Sequence, residues 1–179
     1  VRNDMRLAPA MLSILLVLAP SSGCLSNEDV GGQEEIDEVP VFGPFSVVAP
    51  IDTGINVYHN HFVMNESYPQ WLLDQLGVNL VCEISTNGTW QERYDADKEN
   101  CWDIIVAGDI VWFKGTKIIG TSPDDDTDIP ILDDPQDGHG TAVTGAVLNA
   151  NPNAVIFFVE GFSDAAVLAA ANQPLVDII

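Results

Sequence analysis

The sequence predicts an α/β domain built on a doubly wound, mainly parallel sheet, and three observations predict it. Short apolar runs at residues 46–51, 155–159 and 175–179 have the form of strands buried on both faces. Stretches rich in small residues, at 139–150 and 164–172, separate the later runs and read as helices. The resulting alternation of strand, helix, strand, helix and strand belongs to a parallel sheet covered on both sides. There is no internal repeat.

The bulk numbers agree. With 179 residues, 46% of them hydrophobic, the chain can form one packed domain with a short leader. Acidic residues outnumber basic ones 27 to 6, for a net charge of -21. A surface so anionic excludes nucleic acid as a partner, because that binding rests on Lys and Arg neutralising phosphates. It also argues against charge-driven docking on anionic lipid.

The elements follow in order. Residues 1–23 read as a signal peptide: Arg6 supplies positive charge, and residues 11–19 form an apolar run too short to span a bilayer. The run leads into Ser21-Ser22-Gly23-Cys24, small residues before a cysteine in the manner of a lipobox. Cys24 would then carry lipid and anchor the protein outside the cytoplasm; the alternative is an ordinary signal peptide with an incidental cysteine. Residues 24–44 hold Glu28, Asp29, Glu34, Glu35, Asp37 and Glu38 around Gly31-Gly32 and read as an acidic tether. Apart from Cys24, the cysteines are Cys82 and Cys101. An even remainder in an exported chain implies one disulfide, the alternative being two free buried thiols.

The domain itself, residues 45–179, begins near Phe45. Its first strand carries Pro50, which removes a ladder donor and so predicts a bulge or a gap in the pairing. It stops at Asp52-Thr53-Gly54. Residues 64–118 differ in texture and read as an insert holding all four tryptophans. Within it, Trp71 to Leu76 predicts a short helix closed by Gly77, Asn87-Gly88 a tight turn, and residues 104–119 strands around turns at Gly108 and Gly115. The tryptophans are expected to form a small satellite core clamped by Cys82 and Cys101, or alternatively a recognition surface. Asn65-Glu66-Ser67 and Asn87-Gly88-Thr89 match the glycosylation pattern, a motif common by chance. An acidic loop spans 124–137. A helix opens at His139, and the second helix takes Ser163 or Asp164 as its cap, with Pro174 past its end.

Two segments carry chemistry. An apolar strand delivers Asp52, and a helix opens with His139 in Asp137-Gly138-His139-Gly140-Thr141-Ala142-Val143-Thr144-Gly145. In an open α/β sheet, sites form at the carboxyl ends of strands, where Asp52 would stand. Glycines beside His139 permit close approach of backbone. A carboxylate next to an imidazole holds its tautomer and stabilises the imidazolium formed in acyl transfer.

Ile51-Asp52-Thr53-Gly54-Ile55 resembles the Asp motif of the subtilisin-like serine peptidases, and residues 138–145 resemble their His motif. The order, Asp before His, is similar too. Residues 151–159 and 175–179 resemble the segments that follow in that family, so the likeness covers residues 45–63 and 118–179 and leaves 64–118 unmatched. The resemblance implies a subtilisin-like fold cut after its third core strand. It implies that Asp52 orients His139, and that His139 is the general base for a Ser nucleophile acting on polypeptide substrates. That Ser, and the Asn of the oxyanion hole, have no counterpart in this chain. Ser122 precedes the His and lacks the surrounding pattern. The chain is therefore expected to be an inactive fragment of a serine endopeptidase that needs no cofactor.

Other readings of the same residues exist. Asp-Thr-Gly also serves aspartic peptidases, but that chemistry needs a second such carboxylate. His59-Asn60-His61 places two imidazoles where, with Asp52 or His139, they could bind zinc; the simpler reading is a surface turn. The loop 124–137 could hold structural calcium, although it lacks the usual ligand spacing. Finally, an anchored binding protein on a peptidase-like fold would carry the same motifs without catalysis.

Overall fold

The computed structural model describes residues 45–124, 130–132 and 138–179. The expected signal peptide, Cys24, the tether and most of the acidic loop lie outside them. Among the described residues seven strands form one sheet: β1 (Val47–Val48), β2 (Ile51–Asp52), β3 (Leu80–Glu83), β4 (Ile110–Lys114), β5 (Ile118–Thr121), β6 (Val155–Glu160) and β7 (Val176–Ile178). Their spatial order is β3-β4-β5-β6-β1-β7, with β2 continuing beside β6. Every pairing is parallel except β4 with β5, which are antiparallel. The fold is thus α/β with a mixed, mostly parallel sheet.

Among the described residues four α-helices cover it: α1 (Gln70–Gln75), α2 (Trp90–Asp97), α3 (His139–Ala150) and α4 (Asp164–Ala171). Side chains of β6 alternate between the two faces, as strand geometry requires. Ile156 and Phe158 join Leu148 of α3, with Trp90 and Tyr94 of α2 packed against the same core. Val155, Phe157 and Val159 join Leu72 and Leu73 of α1 and Ala166 and Ala170 of α4. All six residues of β6 are buried, which explains its unbroken apolar run. The crossover from β5 to β6 runs over one face through α3. The crossover from β6 to β7 runs over the other through α4 and skips β1. Both crossovers step toward the β7 edge of the sheet, so it is the covering face, not the direction of progression, that changes at β6.

The first strand breaks where Pro50 predicts a gap. Val47 and Val48 pair with both β6 and β7, with a register shift on the β7 side. Ala49 still donates to the carbonyl of Ile178, and the Pro50 carbonyl accepts from Val159. Beyond that point Ile51 and Asp52 pair with β6 alone.

Residues 64–118 depart from expectation in three ways. First, Ile104 to Ala107 are not strand. Cys101 and Trp102 lead into a single 3-10 turn at Trp102–Ile104, and the next bend is held by the Asp109 carboxylate, which accepts the Val106 N–H at 2.9 Å. Second, Asn87-Gly88 is a bend before α2 rather than a tight turn. Third, the tryptophans do not form a satellite core. Cys82, Cys101, Trp102 and Phe113 share one core with Val48, Ile156 and Phe158, because β3 and β4 extend the same sheet. Cys82 and Cys101 form the expected disulfide, with Cα atoms 5.3 Å apart. The α1 helix ends at Gly77 with φ +73°, and α4 is capped by the Ser163 hydroxyl, which accepts the Ala166 N–H.

Candidate active site

Asp52 ends the first strand and His139 begins α3, so each residue's place is set by an element boundary. Gly138 precedes the helix in a left-handed conformation, φ +59°. Its carbonyl accepts the first helical bond, from Ala142 at 3.0 Å. The left-handed turn costs a residue with a Cβ about 1 kcal/mol or more, and glycine little. It lets the chain arrive from the acidic loop and swing at once into α3.

Gly140 fixes the distance between helix and strand. A Cβ at that position would lie 2.1 Å from the Gly54 carbonyl oxygen and 3.1 Å from both the Asp52 Cβ and the Phe158 ring. No side chain fits there. The first turn of α3 consequently rests on the backbone that follows Asp52. A second bond reinforces the contact: the Asn56 N–H donates to the Thr141 hydroxyl at 2.9 Å.

This arrangement brings His139 Nδ1 within 2.8 and 2.9 Å of the two Asp52 carboxylate oxygens. The carboxylate also accepts the Thr53 N–H at 2.8 Å. Asp52 is buried, its side chain 5% exposed, whereas the imidazole is 68% exposed. With a carboxylate on Nδ1, the ring proton belongs on that nitrogen, which makes Nε2 the basic nitrogen of the ring. Such a pair can take a proton from a neighbouring hydroxyl and hold the charge that results.

Sequence reasoning missed Glu160, the register partner of Asp52 across β2 and β6. It is 4% exposed, and its carboxylate accepts the Ile131 N–H at 2.6 Å. The Ile131 carbonyl in turn accepts the Ile55 N–H at 2.8 Å. Ile131 sits at φ +73°, where a β-branched residue is strained. Glu160 and Ile55 hold it there from two sides. The available signal was a charged residue closing an otherwise apolar strand.

The remaining candidates lie elsewhere. Ser122 is buried, its hydroxyl 3.4 Å from the Asp124 carbonyl oxygen, and Ser163 caps α4 while donating to the Asp124 carboxylate at 2.5 Å. His59 caps a short 3-10 turn, its Nδ1 accepting the His61 N–H at 3.2 Å. Both imidazoles are exposed, and among the described residues no group of three or more His, Cys, Asp or Glu side chains is placed to hold a metal ion. No family model matches the chain, and no significant match is found among curated proteins or solved structures.

Proposed function

We propose that this chain is the Asp- and His-bearing part of an extracytoplasmic, lipid-anchored serine endopeptidase of the subtilisin-like kind. The observation that carries the reading is the Asp52–His139 pair, 2.8 Å apart at the carboxyl end of parallel strands. The order of the two residues and the motifs around them support it. Asp52 keeps the Nδ1 proton and orients the ring. His139 Nε2 takes the proton from a serine hydroxyl as that oxygen attacks the scissile carbonyl, then gives it to the departing amine. Water repeats the sequence on the acyl-enzyme and restores the hydroxyl. The serine and the oxyanion donors are not supplied by the residues of this chain, so the chain alone does not hydrolyse peptides.

The test uses the natural gene product that carries this segment. It is expected to cleave polypeptides and to react with a serine-directed fluorophosphonate. His139→Ala is expected to reduce both by a factor on the order of 10⁴ or more. Normal labelling of the His139→Ala variant sinks the assignment of His139 as base. A second reading is an anchored binding protein on the same framework, with the cleft lined by Tyr58, Trp90 and Arg93 as its recognition surface. It predicts that the natural product never reacts with the fluorophosphonate.

A further inference from the structure

The segment after Asp52 has a second neighbour besides α3. Asn56, Tyr58, His59 and Asn60 on this loop, with Trp90 and Arg93 on α2, line an open cleft of about 350 Å³. None of these residues is acidic, in a chain with 27 acidic residues. Its aromatic wall is fixed. Trp90 stacks on Tyr94 with ring centroids 5.3 Å apart and meets the Tyr58 ring edge-on at 6.5 Å. Tyr58 is anchored from behind, its hydroxyl accepting from the Trp102 indole at 2.8 Å and donating to the buried Asp97 carboxylate at 2.9 Å.

Arg93 is the unusual member. Its Nε donates to the Gly88 carbonyl at 3.0 Å and its Nη1 to the Tyr58 carbonyl at 2.9 Å, while the guanidinium carbon lies 5.9 Å from the Tyr58 ring centre. These partners hold the fork rigid but are uncharged. Lys114, by contrast, pairs with Glu83. Among the described residues no carboxylate stands within ion-pair distance of Arg93, and Asp97 is occupied by Tyr58 and Ser85. The cleft thus presents an oriented, uncompensated cation beside two aromatic rings. His59 adds a donor: its Nδ1 accepts the His61 N–H, which places the neutral ring's proton on Nε2.

We infer that this cleft binds a carboxylate carried on an apolar or aromatic body. A planar guanidinium held in place matches a carboxylate, and the rings match the body. Asn56 joins the cleft to the first turn of α3 through Thr141. On the peptidase reading, the ligand is therefore the C-terminus or an acidic side chain of a peptide. Binding requires no hydrolysis, so the inference stands or falls apart from that reading.

Three probes separate the sources: acetyl-Gly-Phe with a free C-terminal acid, acetyl-Glu-Phe-amide with an acidic side chain, and neutral acetyl-Gly-Phe-amide. Each is titrated into the 179-residue chain, with Trp90 fluorescence and the indole N–H resonance as readouts. At least one acid is expected to bind about tenfold more tightly than the neutral peptide, in line with a charge-assisted bond, and which acid does so identifies the source. Arg93→Gln removes the preference. Asn60→Asp leaves the Arg93 bonds intact, places an opposing charge at the rim and weakens acid binding several-fold, so it serves where Arg93→Gln misfolds. Equal binding of all three probes, no binding at millimolar concentration, or an unchanged preference in Asn60→Asp overturns the inference.

Discussion

The two sides of the sheet are held by opposite means. Around β1, β2 and α3, small residues bring backbone against backbone, and Gly140 leaves no room even for a methyl group. Around β3, α2 and β4, large rings, a disulfide and a buried carboxylate share the load. Trp102 stacks on Phe113 at 5.3 Å, Cys82 is joined to Cys101, and Asp97 accepts from Tyr58 and twice from Ser85. The first side trades redundancy for control of the distance between Asp52 and His139. The second has several independent supports, so no single one sets a geometry.

That contrast can be broken in order of expected effect. Replacing both Cys82 and Cys101 by Ser is expected to cost about 3 kcal/mol of stability, from the freedom restored to the unfolded loop, as measured by urea denaturation. The Nδ1–H resonance of His139 should survive in the folded fraction. Its loss would show that the two sides behave as one unit. Gly140→Ala is expected to cost less, about 2 kcal/mol, yet to abolish that resonance while leaving the near-ultraviolet signal of the buried tryptophans in place. A variant that keeps the resonance would mean that the helix tolerates displacement from Asp52.

The smallest effect concerns α2. Thr89 accepts the Glu92 N–H, and the Glu92 carboxylate accepts the Thr89 N–H at 2.8 Å. The Thr89 N–H first, and then the Thr89 hydroxyl, which donates to the same carboxylate at 2.9 Å, hold the Glu92 carboxyl below its ordinary 4.5. A depressed folded value means that the contribution is present above about pH 4.5 and is lost as pH falls through the folded value. Thr89→Ala should therefore cost about 1 kcal/mol at neutral pH, and its penalty should shrink below pH 4.5. A penalty independent of pH would show that the bond from the Thr89 hydroxyl to the Glu92 carboxylate contributes nothing.

Much of the framework was legible because it rests on local rules. His139 opens a helix that runs to Ala150 as the composition implied, Ser163 caps the next one, and Pro50 marks a true interruption in pairing. The juxtaposition of Asp52 and His139 was legible only through the order of two motifs, since no local pattern states a distance. The insert was less readable. The sequence of α2 is polar except at Trp90, Tyr94 and Ala96, so no apolar stripe announced it, although Thr89-Trp90-Gln91-Glu92 carried a capping box. Residues 104–107 look like strand by composition, yet among the described residues the ladder they would join has no partner at that height. β5 reaches back only to pair Ile110 with Thr121. Glu160 escaped notice because burial of a carboxylate depends on a donor, Ile131, that is remote in sequence.

The interruption at Pro50 has a mechanical consequence. The root of the first strand is gripped on both flanks, by β6 and β7, whereas its tip is gripped on one. Asp52 thus stands at the end of a cantilever. Its stiffness comes from β6 on one side and from the seat of α3 above it. Whatever presses on that helix is transmitted to the carboxylate without unzipping the root of the strand.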